Sequence, residues 1–409
     1  MYDLLKAKNA ALAGETLEFA AELVRTPSPS YQEAGVADLV ERKMKEMGYD
    51  RVLRDESGNV VGLLYGREAE PALLLNAHMD TAAPGPQSGW NEAACSGRRA
   101  GGVLHGLGAS DCKGGLAAQV FAGALLKRAL LPLRGTLVVA ATVAEEAGGS
   151  SGVRALVAKT LPELEVKPMG AILADPTDLG LYYGHDGWIE MDVRIDGANP
   201  FQVHDAAGLV RGGFTARNRL AGASGPQEFQ SVLPPVFEER TGSRCAVLRV
   251  VRRLLPSEHE SDVLDEMTQS VSTLAHSAGP VAVEVTVRKE QQRLYTGRMT
   301  TVRHVTHAWA SDPFHPLMER SRQALAAAGC GVRPGKWTLG RLGMGTAGSA
   351  LIHEFAVPTI GYGPGDETKC HAPNESVSEA QIVEATYATA AIAHAMVGVP
   401  VCGWTSDEI

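Results

Sequence analysis

The sequence is 409 residues long, with 44% hydrophobic residues, 21% charged residues and a formal net charge of −9 at pH 7. This length exceeds that of one average domain, and the composition is ordinary for a globular protein. The negative charge gives no reason to expect nucleic acid or a membrane surface as a partner, and no apolar stretch approaches the ~20 residues of a membrane span.

The amino-terminal residues and the cysteines bear on the compartment. No basic region followed by an apolar region opens the sequence, so we expect no secretory signal. The six cysteines show no paired spacing, which argues against a disulfide framework and favours a reducing environment. We therefore expect a cytoplasmic protein.

Helices and apolar strands are predicted to alternate through the first half of the chain. Residues 12–48 predict two helices, separated by the breaker-rich stretch RTPSPSYQEAG. Four apolar runs follow, NVVGLLYG, PALLLNAHMD, RGTLVVAATVAEEAGG and MGAILADPTD, with helical stretches CKGGLAAQVFAGALLKRALL and SGVRALVAKTL among them. Continuous apolar strands between helices predict an α/β fold, with a mostly parallel sheet sandwiched by helices.

The pattern changes from about Trp188 onward. GWIEMDVRIDG and GPVAVEVTVRKE alternate apolar and polar residues, which is typical of half-exposed antiparallel strands. Helical stretches are predicted around 208–221 and 257–276. We therefore expect an inserted α+β lid or dimerisation domain of four strands and two helices. The expected boundaries are 187–300 for this insert and 1–186 with 301–409 for a discontinuous catalytic domain.

Seven acids and histidines could do chemistry, and most of them follow predicted strands: His78, Asp80, Asp111, Glu145, Glu146, Asp175 and His371. In an extended segment, His78 and Asp80 would point to the same side. Ligands of parallel sheets bind beyond the carboxyl ends of the strands, so we expect these side chains at one edge. Imidazole and carboxylate ligands suit zinc, and a carboxylate can bridge two ions.

Five segments of the chain resemble a known family in order and approximate spacing. They are NAHMDTAAPG, LHGLGASDCKGGLAAQ, VAEEAGGSSG, ADPTD and GYGPGDETKCHAPNE. The family comprises di-zinc metallopeptidases and deacylases that include acetylornithine deacetylase, succinyl-diaminopimelate desuccinylase, aminoacylase and several dipeptidases. The resemblance extends over nearly the whole chain.

The resemblance implies a set of metal ligands. His78 and Asp175 would hold one zinc ion. Glu146 and His371 would hold the other, and Asp111 would bridge both. Cobalt or manganese could replace zinc, because carboxylate-rich sites accept several metals.

The resemblance also implies roles for two further acids. Glu145 would be the general base, taking a proton from the attacking water and passing it to the leaving amine. Asp80 would accept a hydrogen bond from His78 and fix its tautomer. Taken alone, Glu145 and Glu146 are more often a solvated turn or a helix start, and Asp111 is more often a helix cap.

Neighbouring residues have plainer interpretations. GASDCKGG resembles a phosphate-binding loop, but the required spacing is missing, so Lys113 is expected at the surface or at a helix cap. Cys112 and Cys370 adjoin predicted ligands. We expect both to be small packing residues, as buried free cysteines usually are.

The chain departs from the family in its predicted substrate contacts. Asp175 stands where deacylases of the family usually carry Glu and where its dipeptidases and aminopeptidases often carry Asp. The family's lid histidine, which reaches across a dimer to the substrate carbonyl, has His204 as its best equivalent, within GANPFQVHDAAGLVRGG. Arg341 and Gly345 lie in the glycine-rich stretch where relatives build part of the substrate pocket, although tight turns explain each glycine equally well.

These observations lead to a ranked expectation of function. We expect a metal-dependent amidohydrolase that cleaves a small N-acyl amino acid, as acetylornithine deacetylase does, and that forms a homodimer through the insert. GYGPGDETKCHAPNE and THAWASDPFHP resemble that branch of the family. A dipeptidase or aminopeptidase is the alternative, and a non-catalytic binding descendant is the third. The sequence specifies neither the acyl group nor the amino acid.

Overall fold

The computed structural model describes residues 1–220, 229–240, 243–337 and 345–400. The helices are α1 Tyr2–Arg25, α2 Ala34–Glu46, α3 Gly114–Arg128, α4 Ser151–Ala155, α5 Leu161–Glu163, α6 Pro200–Leu220, α7 Glu260–His276, α8 Pro316–Ala327, α9 Gly348–His353 and α10 Glu379–Val397. Short 3-10 or π-helical turns cover Gln87–Gly89, Ala109–Lys113, Leu156–Thr160 and Glu367–Lys369. None of the helices in these ranges combines the length and the apolar character needed to span a bilayer.

The strands follow in chain order. They are β1 Arg51–Arg54, β2 Val60–Leu64, β3 Ala72–His78, β4 Arg98–Ala100, β5 Val103–His105, β6 Thr136–Thr142, β7 Pro168–Leu173, β8 Leu181–Tyr182, β9 Gly184–His185, β10 Gly187–Gly197, β11 Phe229–Val232, β12 Val236–Arg240, β13 Ser243–Leu254, β14 Ala282–Val287, β15 Lys289–Arg293, β16 Met299–Arg303, β17 Val305–Thr306, β18 Trp309–Ala310, β19 Pro334–Gly335, β20 Thr359–Gly361 and β21 Ser376–Ser378.

The main sheet has eight strands in the order β1-β2-β6-β3-β7-β20-β8-β19. Its centre is parallel, because β3 pairs in parallel with both β6 and β7, and β7 pairs in parallel with β20. Strands β2 and β8 run antiparallel to their neighbours β6 and β20. The predicted α/β fold with a mostly parallel sheet is confirmed.

Helices cover both faces of this sheet. Every residue of β3 and β6 is buried, which explains why these strands are continuous apolar runs. Alternate residues of β3 face opposite sides: Leu73 and Leu75 pack in the core that includes α1, α3 and α10. Leu74 packs in a second core with residues of α4 and α9. Each fully buried leucine contributes about 1.5–3 kcal/mol to folding, so this strand is firmly held up to its last residue, His78.

A second sheet lies between β7 and β20 in the sequence. It has six antiparallel strands: β11-β13-β10-β14 in that order, with β12 beside β13 and β17 beside β10. Helices α6 and α7 contribute Val210 and Met267 to its own apolar core, with Val193 and Leu248 from the strands. The two predicted helices are present. The sheet has six strands rather than the predicted four, and the two additional strands, β12 and β17, are short and pair with the long strands β13 and β10.

Helix α6 begins at Pro200, earlier than the predicted start near residue 208. The side chain of Asn199 accepts a hydrogen bond from the Phe201 main-chain N–H at 2.9 Å, as an N-cap residue does. Proline suits the first helical position because its missing N–H would have no helical partner there. The division of the chain into 1–186 with 301–409 and 187–300 stays a prediction.

Candidate metal centre

Strand ends bring the chemically active residues to one edge of the main sheet. His78 is the last residue of β3, and Glu145 and Glu146 follow β6 directly after a short turn. Asp175 follows β7, and His371 comes after β20. Since these four strands run parallel to one another, their carboxyl ends meet at the same edge.

Side-chain atoms that could bind metal form two groups, and the atoms within each group lie within 4.8 Å of one another: His78, Asp111, Cys112 and Asp175 in one, and Asp111, Glu146 and His371 in the other. Asp111 belongs to both groups. Its Oδ1 lies 3.2 Å from His78 Nε2, and its Oδ2 lies 3.4 Å from His371 Nε2. One carboxylate thus spans two potential metal positions, as a bridging ligand does.

The hydrogen bonds of His78 determine which ring nitrogen is free. Its Nδ1 lies 2.9 Å from the main-chain carbonyl oxygen of Asp80. A carbonyl oxygen can only accept, so Nδ1 carries the proton and Nε2 of a neutral ring presents a lone pair. That lone pair faces Asp111 and, at 3.8 Å, Oδ1 of Asp175. Acceptors that converge in this way fit a cation.

His371 gives a second, independent indication of a cation. Its buried Nε2 makes no well-formed hydrogen bond with the described part of the chain, although Glu146 Oε2 lies only 2.8 Å away. Burial disfavours the charged ring, but the nearby carboxylates of Asp111 and Glu146 raise the pKa of His371 to about 11. Positive charge is therefore strongly favoured at this point, and the donor set fits a divalent metal ion.

The carboxylates of the cluster repel one another at close range. Burial raises the pKa of Asp175 to about 7, with further contributions from Asp111 and Glu146. Burial also raises the pKa of Glu145 well above its usual value, and the adjacent acids add to the effect. Carboxylates this close to one another ionise together only if cations compensate them. Bound cations would provide this compensation, so the donor set fits metal ions.

Asp80 holds the turn that carries the two adjacent glutamates. This fully buried carboxylate accepts main-chain N–H bonds from Glu145 at 3.1 Å and from Glu146 at 3.0 Å. The Ser30 hydroxyl also donates to it at 2.6 Å. His78 Nδ1 lies 3.6 Å from the Asp80 carboxylate, beyond the normal range of a hydrogen bond. The contact that orients His78 thus comes from the main chain of Asp80, and the carboxylate holds the turn.

Replacing Asp80 with alanine is expected to lower kcat by about 10–100-fold, which is typical for residues that support a metal site. The two N–H groups would lose their acceptor, and the Glu145 carboxylate would no longer be fixed. Asp80→Asn, which keeps one acceptor oxygen, should lose less. Steady-state kinetics with metal analysis would test this, and a wild-type kcat in Asp80→Ala would contradict it.

Among the described residues, His204 and Gly345 belong to neither group of potential ligands. His204 is 72% exposed on α6, and its ring stacks on Phe237 at 5.5 Å. Within the described ranges it contacts none of the potential ligands. Gly345 packs closely on Thr306, since a Cβ on it would lie 2.6 Å from Thr306 Cγ2. Arg341 falls outside the described residues.

The neighbours of Asp111 are more deeply buried than the sequence indicated. Cys112 is fully buried, and its Sγ accepts from the His78 main-chain N–H at 3.2 Å, so it packs beside the site as expected. Lys113 is the N-cap residue of α3, which was one of its two predicted positions, although its side chain makes no capping hydrogen bond there. The alternative of a surface position is wrong. Lys113 is 1% exposed, and its Nζ donates to the Thr26 carbonyl oxygen at 2.7 Å. The interior carbonyl gives its charge a partner that sequence alone could not reveal.

Sequence reasoning also missed a supporting acid, Glu375. It is 1% exposed, and its Oε1 accepts the main-chain N–H groups of Ser110 at 2.8 Å and Asp111 at 3.0 Å. It thereby fixes the main chain of the residue shared by both ligand groups. The available signal was its position in the segment HAPNE, four residues after His371.

The chain is similar over most of its length to several known proteins. The uncharacterized protein YgeY of Escherichia coli (strain K12) is 26% identical over 408 residues, covering 96% of both chains. N-formyl-4-amino-5-aminomethyl-2-methylpyrimidine deformylase of Bacillus subtilis (strain 168) is 24% identical over 418 residues, covering 91% of this chain and 92% of the relative. The crystal structure of human carnosine dipeptidase 1 matches with a TM-score of 0.71 and 14% identity, covering 96% of this chain and 98% of that one. The last likeness concerns the fold alone.

A family model supplies the assignment. The model described as peptidase family M20/M25/M40 matches residues 74–395, most of the chain. Members of this family are typically dinuclear, metal-dependent enzymes. With its cluster of histidines and carboxylates, the protein is a metallohydrolase that acts on amide bonds. The chain belongs to peptidase family M20/M25/M40.

Proposed function

We propose that the protein removes the acyl group from a small N-acyl amino acid by hydrolysing its amide bond, with two zinc ions as cofactors. The observation that carries this proposal is the position of Asp111 between two groups of ligands, 3.2 Å from His78 and 3.4 Å from His371. A relative that is named a deformylase supports acyl removal as the type of reaction.

The proposed ligands follow the two groups, except that Cys112 of the first group is not assigned to a metal ion. His78 and Asp175 would hold one ion, Glu146 and His371 the other, and Asp111 both. When bound, such a pair of ions would activate water and polarise the substrate carbonyl. Zinc suits the imidazole and carboxylate donors, and cobalt or manganese are alternatives.

Glu145 is the proposed general base. It is adjacent to the ligand Glu146 but belongs to neither group of potential ligands, so its carboxylate stays available for proton transfer. It would take a proton from the attacking water and deliver it to the nitrogen of the leaving amine. Asp80 would keep Glu145 in place, because its carboxylate accepts a hydrogen bond from the Glu145 main-chain N–H at 3.1 Å.

A dipeptidase or aminopeptidase is the second candidate, and Asp175 favours it. The family's dipeptidases and aminopeptidases often carry Asp at this position. Its carboxylate is shorter than that of Glu, which shifts a bound metal relative to the substrate.

A panel of small substrates would separate the two candidates. N-acetyl, N-formyl and N-succinyl amino acids would be incubated beside dipeptides, with zinc or cobalt and a chelator control. We expect chelator-sensitive release of the free amino acid from the acylated compounds. Release from dipeptides alone would favour the second candidate, and no release from either class would contradict both.

A homodimer formed through the insert is part of the proposal. Apolar side chains are exposed on α6 and β12, among them Phe201 at 79% and Val236 at 64%. His204 lies at this surface, stacked on Phe237, and would reach the substrate carbonyl of a partner as a hydrogen-bond donor. Sedimentation analysis should detect a dimer, and a monomer at all concentrations would contradict this arrangement. The cytoplasmic location stays a prediction.

A further inference from the structure

Glu33 is a fully buried carboxylate outside both groups of potential ligands. It occupies the N-cap position of α2, yet its side chain makes no capping hydrogen bond to that helix. Its Oε1 instead accepts the main-chain N–H of Ala144 at 3.0 Å and that of Tyr31 at 2.9 Å. The Glu33 side chain therefore binds the segment that follows β6 instead of capping α2.

Ala144 has a backbone conformation that needs support. Its φ of +53° lies in the left-handed region, which is unfavourable for residues with a Cβ. Ala144 directly precedes Glu145, so this conformation sets the direction in which the turn with the two glutamates leaves the strand. The hydrogen bond to Glu33 is made at the residue where the chain changes direction.

Two buried carboxylates therefore accept hydrogen bonds from three successive main-chain N–H groups in the turn of residues 144–146. Glu33 accepts from Ala144, and Asp80 accepts from Glu145 and Glu146. The same short segment also secures Asp80, because the Ser30 hydroxyl donates to its carboxylate at 2.6 Å. The stretch from Ser30 to Glu33 is thus connected to the whole turn.

We propose that Glu33 is a positioning residue of the reaction: it keeps Ala144 in the left-handed conformation and so directs the Glu145 carboxylate toward the attacking water. Its hydrogen bonds go to the main chain of Tyr31 and Ala144 and to none of the potential metal ligands in the described part of the chain. This inference rests on the proposed function of Glu145 as general base.

Three replacements of Glu33 distinguish the effect of side-chain length, which lets an oxygen reach the Ala144 N–H, from the effect of negative charge. Glu33→Ala removes the acceptor, and Glu33→Asp keeps the charge but is one methylene too short to reach Ala144. Both should lower kcat by about 10–100-fold while KM and metal content stay at wild-type values. Glu33→Gln keeps an acceptor oxygen at the same reach and should retain most of the activity. Glu33→Asp also keeps the test decisive if Glu33→Ala fails to fold.

Hydrogen exchange supplies a readout that does not depend on turnover. The Ala144 amide should exchange faster in Glu33→Ala and Glu33→Asp, and should stay protected in Glu33→Gln. Glu258→Ala is a matched control, since Glu258 accepts a main-chain N–H from Leu255 at 2.7 Å in the turn that follows β13. This control should leave both kcat and the exchange of Ala144 unchanged.

The outcomes distinguish the two proposals. Wild-type kcat or unchanged Ala144 exchange in Glu33→Ala and Glu33→Asp would overturn the positioning role. Loss of activity in Glu33→Gln equal to that in Glu33→Ala would overturn it as well, because charge rather than reach would then matter. A wild-type protein that hydrolyses no substrate of the panel would contradict the proposed function, and the exchange measurements would still test the support that Glu33 gives to Ala144.

Discussion

Asp111→Ala is expected to lose both metal ions and to lower kcat/KM by at least about 10³-fold. The metal pair supplies several kcal/mol of transition-state stabilisation, and each 1.36 kcal/mol corresponds to a factor of ten. The loss should affect both ions because Asp111 is the residue common to both ligand groups. Metal content after dialysis, measured by mass spectrometry, would test this directly.

His371→Ala is the matched control for Asp111→Ala. His371 belongs to one ligand group only, so this variant should keep one ion while Asp111→Ala keeps none. Equal metal content in the two variants would contradict the bridging role. Circular dichroism would establish that each variant is folded before the metal is counted.

Glu145→Ala should lower kcat by about 10²–10⁴-fold, the usual contribution of a general base. Metal content should stay at the wild-type level, because Glu145 lies in neither ligand group. The replacement removes the proton acceptor for the attacking water and leaves the ligands and their supports in place. Steady-state kinetics with metal analysis on the same samples would measure both effects.

The neighbouring acid provides the control for this variant. Glu146 shares the turn with Glu145, but its Oε2 lies 2.8 Å from His371 Nε2 within a ligand group. Glu146→Ala should therefore lose metal, in contrast to Glu145→Ala. A Glu145→Ala variant that loses metal, or that keeps full activity, would be incompatible with the proposed division of roles.

Local patterns in the sequence were sufficient to predict the parallel centre of the main sheet. The run ALLLNAH predicts a strand buried on both faces, and every one of its residues is buried in β3. Parallel pairing then places the residues after β3, β6 and β7 at one edge, which is why His78, Glu146 and Asp175 could be grouped from the sequence.

Contacts between distant parts of the chain were beyond prediction. Glu375 and Ser110 are 265 positions apart, and Glu33 and Ala144 are 111 positions apart, yet each pair is joined through a main-chain N–H. Any residue type except proline can supply such a group, so the sequence carries no pattern for it. For the same reason the contacts of Asp80 were not predicted. Its carboxylate was expected to accept a hydrogen bond from His78, but it accepts the main-chain N–H groups of Glu145 and Glu146 instead.

The most direct test of this account is anomalous diffraction at the zinc edge from crystals grown with zinc. We expect two peaks about 3.5–4 Å apart, both in contact with Asp111. One should adjoin His78 and Asp175, and the other Glu146 and His371. A single peak, or zinc bound away from Asp111, would contradict the proposed two-metal centre.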